Sequence, residues 1–185
     1  LRDLAVHPAT ARHIATKLAR HFGADEPPAT LISRLEQAFR DSGGDLPTVY
    51  RALIDAPEVW NGPPKFRTPW EWSLAALLAT GVKALPGATA AGAFQQLGQP
   101  IWRPGSPAGY DDIAASWAGP DALYRRVEVA QRIAKRTAPV IDARQLAAQL
   151  FPGALSPATA DALARAESGE QALALLLVSP EMLRR

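Results

Sequence analysis

"HPATARHIATKLARHF", His7 to Phe22, decides the fold class. Pro8 suits a first helical position, where its missing N–H costs nothing. Ala11, Ile14, Ala15, Leu18 and Phe22 recur at helical spacing and make one apolar stripe. Arg12, His13, Lys17 and Arg20 fall away from that stripe, and Gly23 is suited to stopping the helix.

The same grammar repeats outward along the chain. "PPATLISRLEQAFRDSGG" places Leu31, Leu35, Ala38 and Phe39 on one face, with Glu36 and Arg40 four apart in the favourable order. "DLPTVYRALIDAPEVW" turns Val49, Leu53 and Ile54 inward, and Pro57 ends or restarts it. Thr68, Pro69 and Glu71 form a capping box before "WSLAALLAT". "PGATAAGAFQQLG" is a small-residue helix, and Asp111 and Asp112 mark a further helix start. "GPDALYRRVEVAQRIAKR", Gly119 to Arg136, is helical with Leu123, Val127, Ala130 and Ala134 inward. Asp142 with Gln145 reads as another capping box. "SPATADALARA" and "EQALALLLVS" close the chain as a helix pair.

Strand patterns are nearly absent; "APVID" is the single short candidate. The expectation is an all-α, bundle-like single domain over 1–185, with about nine or ten helices. Two Pro/Gly/aromatic-rich loops interrupt it, at 61–69 and 98–110. "HPAT" echoes "SPAT", and "LIDAPEVW" echoes "LLVSPEML", as similar punctuation without a fixed period.

Totals narrow the function classes. The chain has 185 residues, 48% of them hydrophobic and 21% charged, which is a globular balance. Its formal charge is +2, and residues 1–92 and 93–185 each carry ten basic and nine acidic side chains. That spread argues against a concentrated nucleic-acid face. No cysteine is present, so disulfides, thiolate metal sites and cysteine nucleophiles are excluded. No apolar run reaches the roughly 18 residues of a membrane span.

No catalytic set emerges. His13 and His21 are eight apart, about 12 Å along a helix, too far to share one zinc ion. "GSPAG" is not a nucleophile elbow, and neither phosphate-loop pattern occurs. Neither a metal nor a cofactor is expected. Five tryptophans cluster around the two loops. Trp60, Trp70, Trp102, Tyr110 and Trp117, with Gln99 and Arg103 as polar companions and Arg67 nearby, are candidates to line a groove; pinning of irregular chain is the competing reading. Arg125, Arg132 and Arg136 share one helix face, which suits either an anionic surface or plain solvation beside a Glu128–Arg132 pair.

In order, "HPATARHIATKLARHF", "LISRLEQAFRDSGGDLPTVYRALIDAPEVW", "KFRTPWEWSLAALLATG", "LGQPIWRPGSPAGY" and "LLLVSPEM" resemble the C-terminal part of the bacterial family called domain of unknown function 1800. Members usually carry Pro-Pro and Gly-Trp in the loop; here the loop reads "RPGSPAGY", with Tyr110 after the glycine. The resemblance implies that Leu1 is internal to a longer chain. It carries over no catalytic residue. The family's genes often neighbour those of a predicted exported family, which leans localisation toward the cell envelope or periplasm, with the cytoplasm as alternative. The expected function is a non-enzymatic binding or assembly module whose partner is another protein or the remainder of its own chain. Two alternatives stand beside it. One is an enzyme whose site is shared with an upstream portion, with His7 and Lys17 as contributors. The other is a binder of nucleic acid or an anionic surface through Arg125, Arg132 and Arg136.

Overall fold

A computed structural model describes the backbone of residues 1–185 and every side chain except that of Arg2. Among the described residues there are thirteen α-helices, nine of them seven residues or longer, and no strand. The chain divides into two compact units, Leu1–Lys65 and Phe66–Arg185. The division falls inside the 61–69 loop.

The first unit contains α1 (Arg2–Ala5), α2 (Pro8–Phe22), α3 (Ala29–Asp41), α4 (Leu46–Ile54) and α5 (Pro57–Trp60). Ala11, Ala15 and Ala19 of α2 are fully buried, and their small side chains let α3 approach closely with Leu31, Leu35 and Phe39. Val49 and Leu53 of α4 complete that core. Burying each such leucine contributes roughly 2 kcal/mol. Gly23 ends α2 where the packing is tightest: a Cβ there would lie 2.8 Å from the Ala19 carbonyl oxygen and 3.2 Å from Leu31. The His7 Nδ1 caps α2 by accepting the Ala9 N–H at 3.1 Å. Phe22 departs from the expected stripe and is 49% exposed, its ring edge-on to His21. It stands in the last turn of α2. Ile54 is likewise exposed, at the end of α4.

The second unit contains α6 (Pro69–Ala79), α7 (Gly87–Gln96), α8 (Ala114–Trp117), α9 (Pro120–Thr137), α10 (Ala143–Leu150), α11 (Pro157–Ala164), α12 (Gly169–Leu177) and α13 (Pro180–Leu183). α12 is its buried axis: Ala172, Leu173, Leu176 and Leu177 are enclosed by α9, α10 and α11. Trp72 of α6 is completely buried and its indole N–H donates to the Leu177 carbonyl at 2.8 Å. The two ends of the unit meet where the Arg67 N–H donates to the Leu183 carbonyl at 2.8 Å, beside an isolated bridge between Phe66 and Arg184. Thr68 and Glu71 form the expected reciprocal capping box on α6.

Several local expectations need correction. Asp111 and Asp112 do not start a helix; α8 begins at Ala114, and the Asp111 carboxylate accepts the Ser116 hydroxyl instead. Asp142 caps α10 through the Arg144 N–H, without a reciprocal bond from Gln145. "APV" at 138–140 is a single 3-10 turn rather than a strand, since Pro139 gives it helical φ and no ladder partner is present. The Pro-Glu stretch at 180, read as a helix end, starts a one-turn helix, and at 57 the restart rather than the end is the outcome. A proline at the first helical position favours that restart.

Candidate functional site

α6 is apolar on nearly every side, so burying one face leaves another uncovered. Pro69, Trp72, Ser73 and Ala76 face the core, whereas Trp70, Leu74 and Leu78 are 53%, 49% and 71% exposed. Across from that outward face runs α7, glycine, alanine and threonine up to Phe94, Gln95 and Gln96, with no fully buried residue. A groove of about 770 Å³ lies between α6, α7 and α9. That volume falls in the small-molecule range of roughly 300–1,000 Å³.

Each wall has a clear origin. α6 supplies Trp70, Leu74 and Leu77, and the 82–86 connection supplies Val82, Lys83 and Leu85. α7 contributes Ala90, Gly92 and Ala93, whose small side chains leave the space open, and Phe94. α9 contributes Val129, Ile133, Arg132 and Arg136. The Trp70 and Phe94 rings stack at 5.0 Å, tying α7 to α6. Gln96 ties α7 to α9: its side-chain N–H donates to Glu128 at 2.7 Å, its Oε1 accepts from Arg132, and its carbonyl accepts from Arg125 at 3.1 Å. Glu128 and Arg132 therefore meet through Gln96, not as the direct pair expected from their spacing. Arg125 also pairs with Asp121 at 2.7 Å.

The groove's charge is one-sided. Lys83, Arg132 and Arg136 line it, and no aspartate or glutamate does. Thus two of the three arginines expected to form an open basic face border the groove.

Of the aromatic candidates, Trp70 alone lines this groove. Tyr110 and Trp117 pin the 98–110 loop: the Tyr110 hydroxyl donates to the Pro100 carbonyl, and the Trp117 indole donates to the Asp111 carbonyl at 2.9 Å. Their rings are 6.3 Å apart and Trp117 is buried. The Gln99 side chain accepts the Trp70 backbone N–H at 2.8 Å, and Arg103 donates to Gln95 at 2.7 Å. Trp102 stands outward, 93% exposed, with a φ of 56° that non-glycine residues rarely adopt. Trp60 belongs to the first unit, exposed, its indole donating to the Ile54 carbonyl. His7 and Lys17 lie ten positions apart on the same helix, about 15 Å of rise, and are not brought together. No group of three or more His, Asp or Glu side chains among the described residues could hold a metal ion.

Sequence reasoning missed a buried cation. Arg126 is 1% exposed, its guanidinium 4.6 Å from the Phe66 ring centroid and 5.7 Å from that of Trp72. It donates to the Arg67 carbonyl at 2.7 Å, while its Nη1 has no partner. Burial lowers its pKa to about 10, against the opposing pull of the Glu71 carboxylate. Burial likewise lowers that of Arg67, which donates to the Met182 carbonyl at 2.6 Å. The signal lay in the period: Arg126 falls between Leu123 and Ala130 on the inward side of α9. Lys65 is similar in the first unit, its ammonium donating to the Arg20 carbonyl at 2.7 Å and to Asp25 at 2.8 Å.

Fold and site together define an all-α protein with an apolar, cation-lined groove. The family described as Protein of unknown function (DUF1800) matches residues 1–184, and the chain belongs to it. Neither a curated protein nor a solved structure matches the chain. No helix among the described residues is long and apolar enough to cross a membrane.

Proposed function

We propose that this chain is a non-enzymatic binding module, and that its ligand occupies the groove between α6, α7 and α9. The observation that carries this reading is the groove itself: about 770 Å³ bounded by Trp70, Leu74, Leu77, Phe94 and Ile133. Apolar walls with few polar groups favour capture by burial. The cations along it supply charge for recognition, but no nucleophile with an adjacent base accompanies them.

Titration with the uncharged fluorophore Nile red tests the reading. Saturable binding of one dye per chain is expected. Ala90→Trp, which places an indole on the α7 wall, should weaken it by at least about tenfold while far-UV circular dichroism stays unchanged. Non-saturable uptake, or uptake indifferent to that substitution in a folded variant, would count decisively against the groove as the site.

A further inference from the structure

We propose that the groove takes a long-chain fatty acid, with its hydrocarbon chain along the apolar walls and its carboxylate on Arg136 and Lys83. This rests on the groove being the binding site and names the class of ligand. Three observations carry it.

First, the charges lining the groove are of one sign. Lys83, Arg132 and Arg136 border it and no acidic side chain does. Among the described residues Lys83 and Arg136 make neither an ion pair nor a side-chain hydrogen bond, although acids elsewhere in the unit are paired with other arginines. Arg132, by contrast, is already held by Gln96. Two cations beside an apolar trough thus have their charge unspent, and an anionic head complements them.

Second, the walls suit hydrocarbon. Leu74, Leu77, Val82 and Ile133 are aliphatic, and the Trp70–Phe94 stack offers a flat apolar face. A chain of methylenes gains roughly 0.8 kcal/mol for each one buried and asks for no hydrogen bond in return. A peptide would need partners for its buried backbone amides. The neutral polar side chains along the groove are few: Ser73, Thr89, Gln96 and Thr137. Ser73 is buried, and Gln96 is engaged with Glu128 and Arg132.

Third, α7 can accommodate an elongated guest. An added Cβ at Gly92 would meet nothing within 4 Å, although Gly92 lines the groove. The helix buries no residue completely. Phe94, Gln96 and the buried Leu97 hold its C-terminal end, so its first turns can adjust around a chain without loss of core packing.

The experiment uses quenching of tryptophan fluorescence by dibromostearate and by its neutral methyl ester, below their aggregation thresholds. Bromine quenches at short range, and Trp70 lies in the groove wall, so quenching lost in Trp70→Phe reports occupancy there. The acid should bind about tenfold tighter than the ester, and added salt should erode that advantage. The Lys83→Ala/Arg136→Ala double variant should remove it while leaving the ester's affinity alone. Both side chains are exposed and unpaired, so the fold should survive; the salt titration of the unmodified chain decides the matter should it not. Equal affinity for acid and ester, without salt dependence, would overturn the head-group assignment yet leave the groove reading standing. Failure of acid, ester and Nile red alike would overturn both. Displacement of Nile red by an acidic amphipathic peptide, but not by stearate, would give the groove to a protein partner and overturn the fatty-acid assignment.

Discussion

The Trp70 and Phe94 rings lie stacked, 5.0 Å between centroids and 26° from parallel. This contact joins a helix anchored in the core to one that buries no residue completely. Trp70 itself is positioned from behind, because its backbone N–H donates to the Gln99 side chain. The second loop thus reaches the groove directly through Ile101 and steadies its wall through Gln99, not through its own tryptophan.

Phe94→Ala is expected to loosen α7 without unfolding the unit. The stack contributes about 1 kcal/mol beyond its buried area, and the core around α12 does not depend on it. Amide hydrogen exchange should quicken across 87–96 while α12 retains its protection. Equal acceleration in both helices would show that α7 is integral to the core.

Arg126 separates packing from charge. Arg126→Ala removes the group lying over Phe66 and Trp72 and should cost about 3 kcal/mol. Arg126→Met keeps most of the volume, gives up the bond to the Arg67 carbonyl, and removes the unpartnered Nη1 along with the buried charge. It should therefore recover most of the loss, within about 1.5 kcal/mol of the parent. Urea denaturation of the two variants checks the order; equal destabilisation would assign the whole effect to the guanidinium's bonds.

Glu181 makes stability depend on acid pH. Burial alone would raise its pKa, but hydrogen bonds from Ser156, from the backbone and from Thr159 outweigh it and hold the carboxyl near 2. The folded value is below the ordinary 4.5. Its contribution is therefore complete above pH 4.5 and drains away as pH falls toward 2. Glu181→Gln should lower stability near neutrality by about 1–2 kcal/mol. It should also flatten the acid limb of the urea midpoint plotted against pH. An unchanged acid limb would assign that loss to other carboxylates.

Local structure was legible where it is local in origin. Pro8, Thr68 with Glu71, Asp142 and Ser156 all mark helix starts, because a cap or a proline acts within one turn. The stripes of α3 and α4 also emerged from spacing. Phe22 fitted the stripe of α2 and Ile54 that of α4, yet both face solvent: periodicity assigns a side of a helix, while coverage depends on what packs against that turn. The tryptophans illustrate the same limit. Trp72 and Trp117 are buried pins, Trp70 is a groove wall and Trp102 faces water, and composition treated them alike.

The sequence by itself determined an all-helical chain, most of its helix starts, the irregular loop at 61–69 and the family to which it belongs; the division into two compact units inside that loop came from the structure. Only the tertiary structure decided that α6 keeps an uncovered apolar face, that α7 stands off from it, and that Arg132 and Arg136 border the space between. The physical reason is range. Helix formation is settled by bonds four residues apart and by side chains a turn away. A groove is settled by residues such as Trp70, Phe94 and Ile133, far apart in sequence, whose placement depends on how completely the helices between them fill the core.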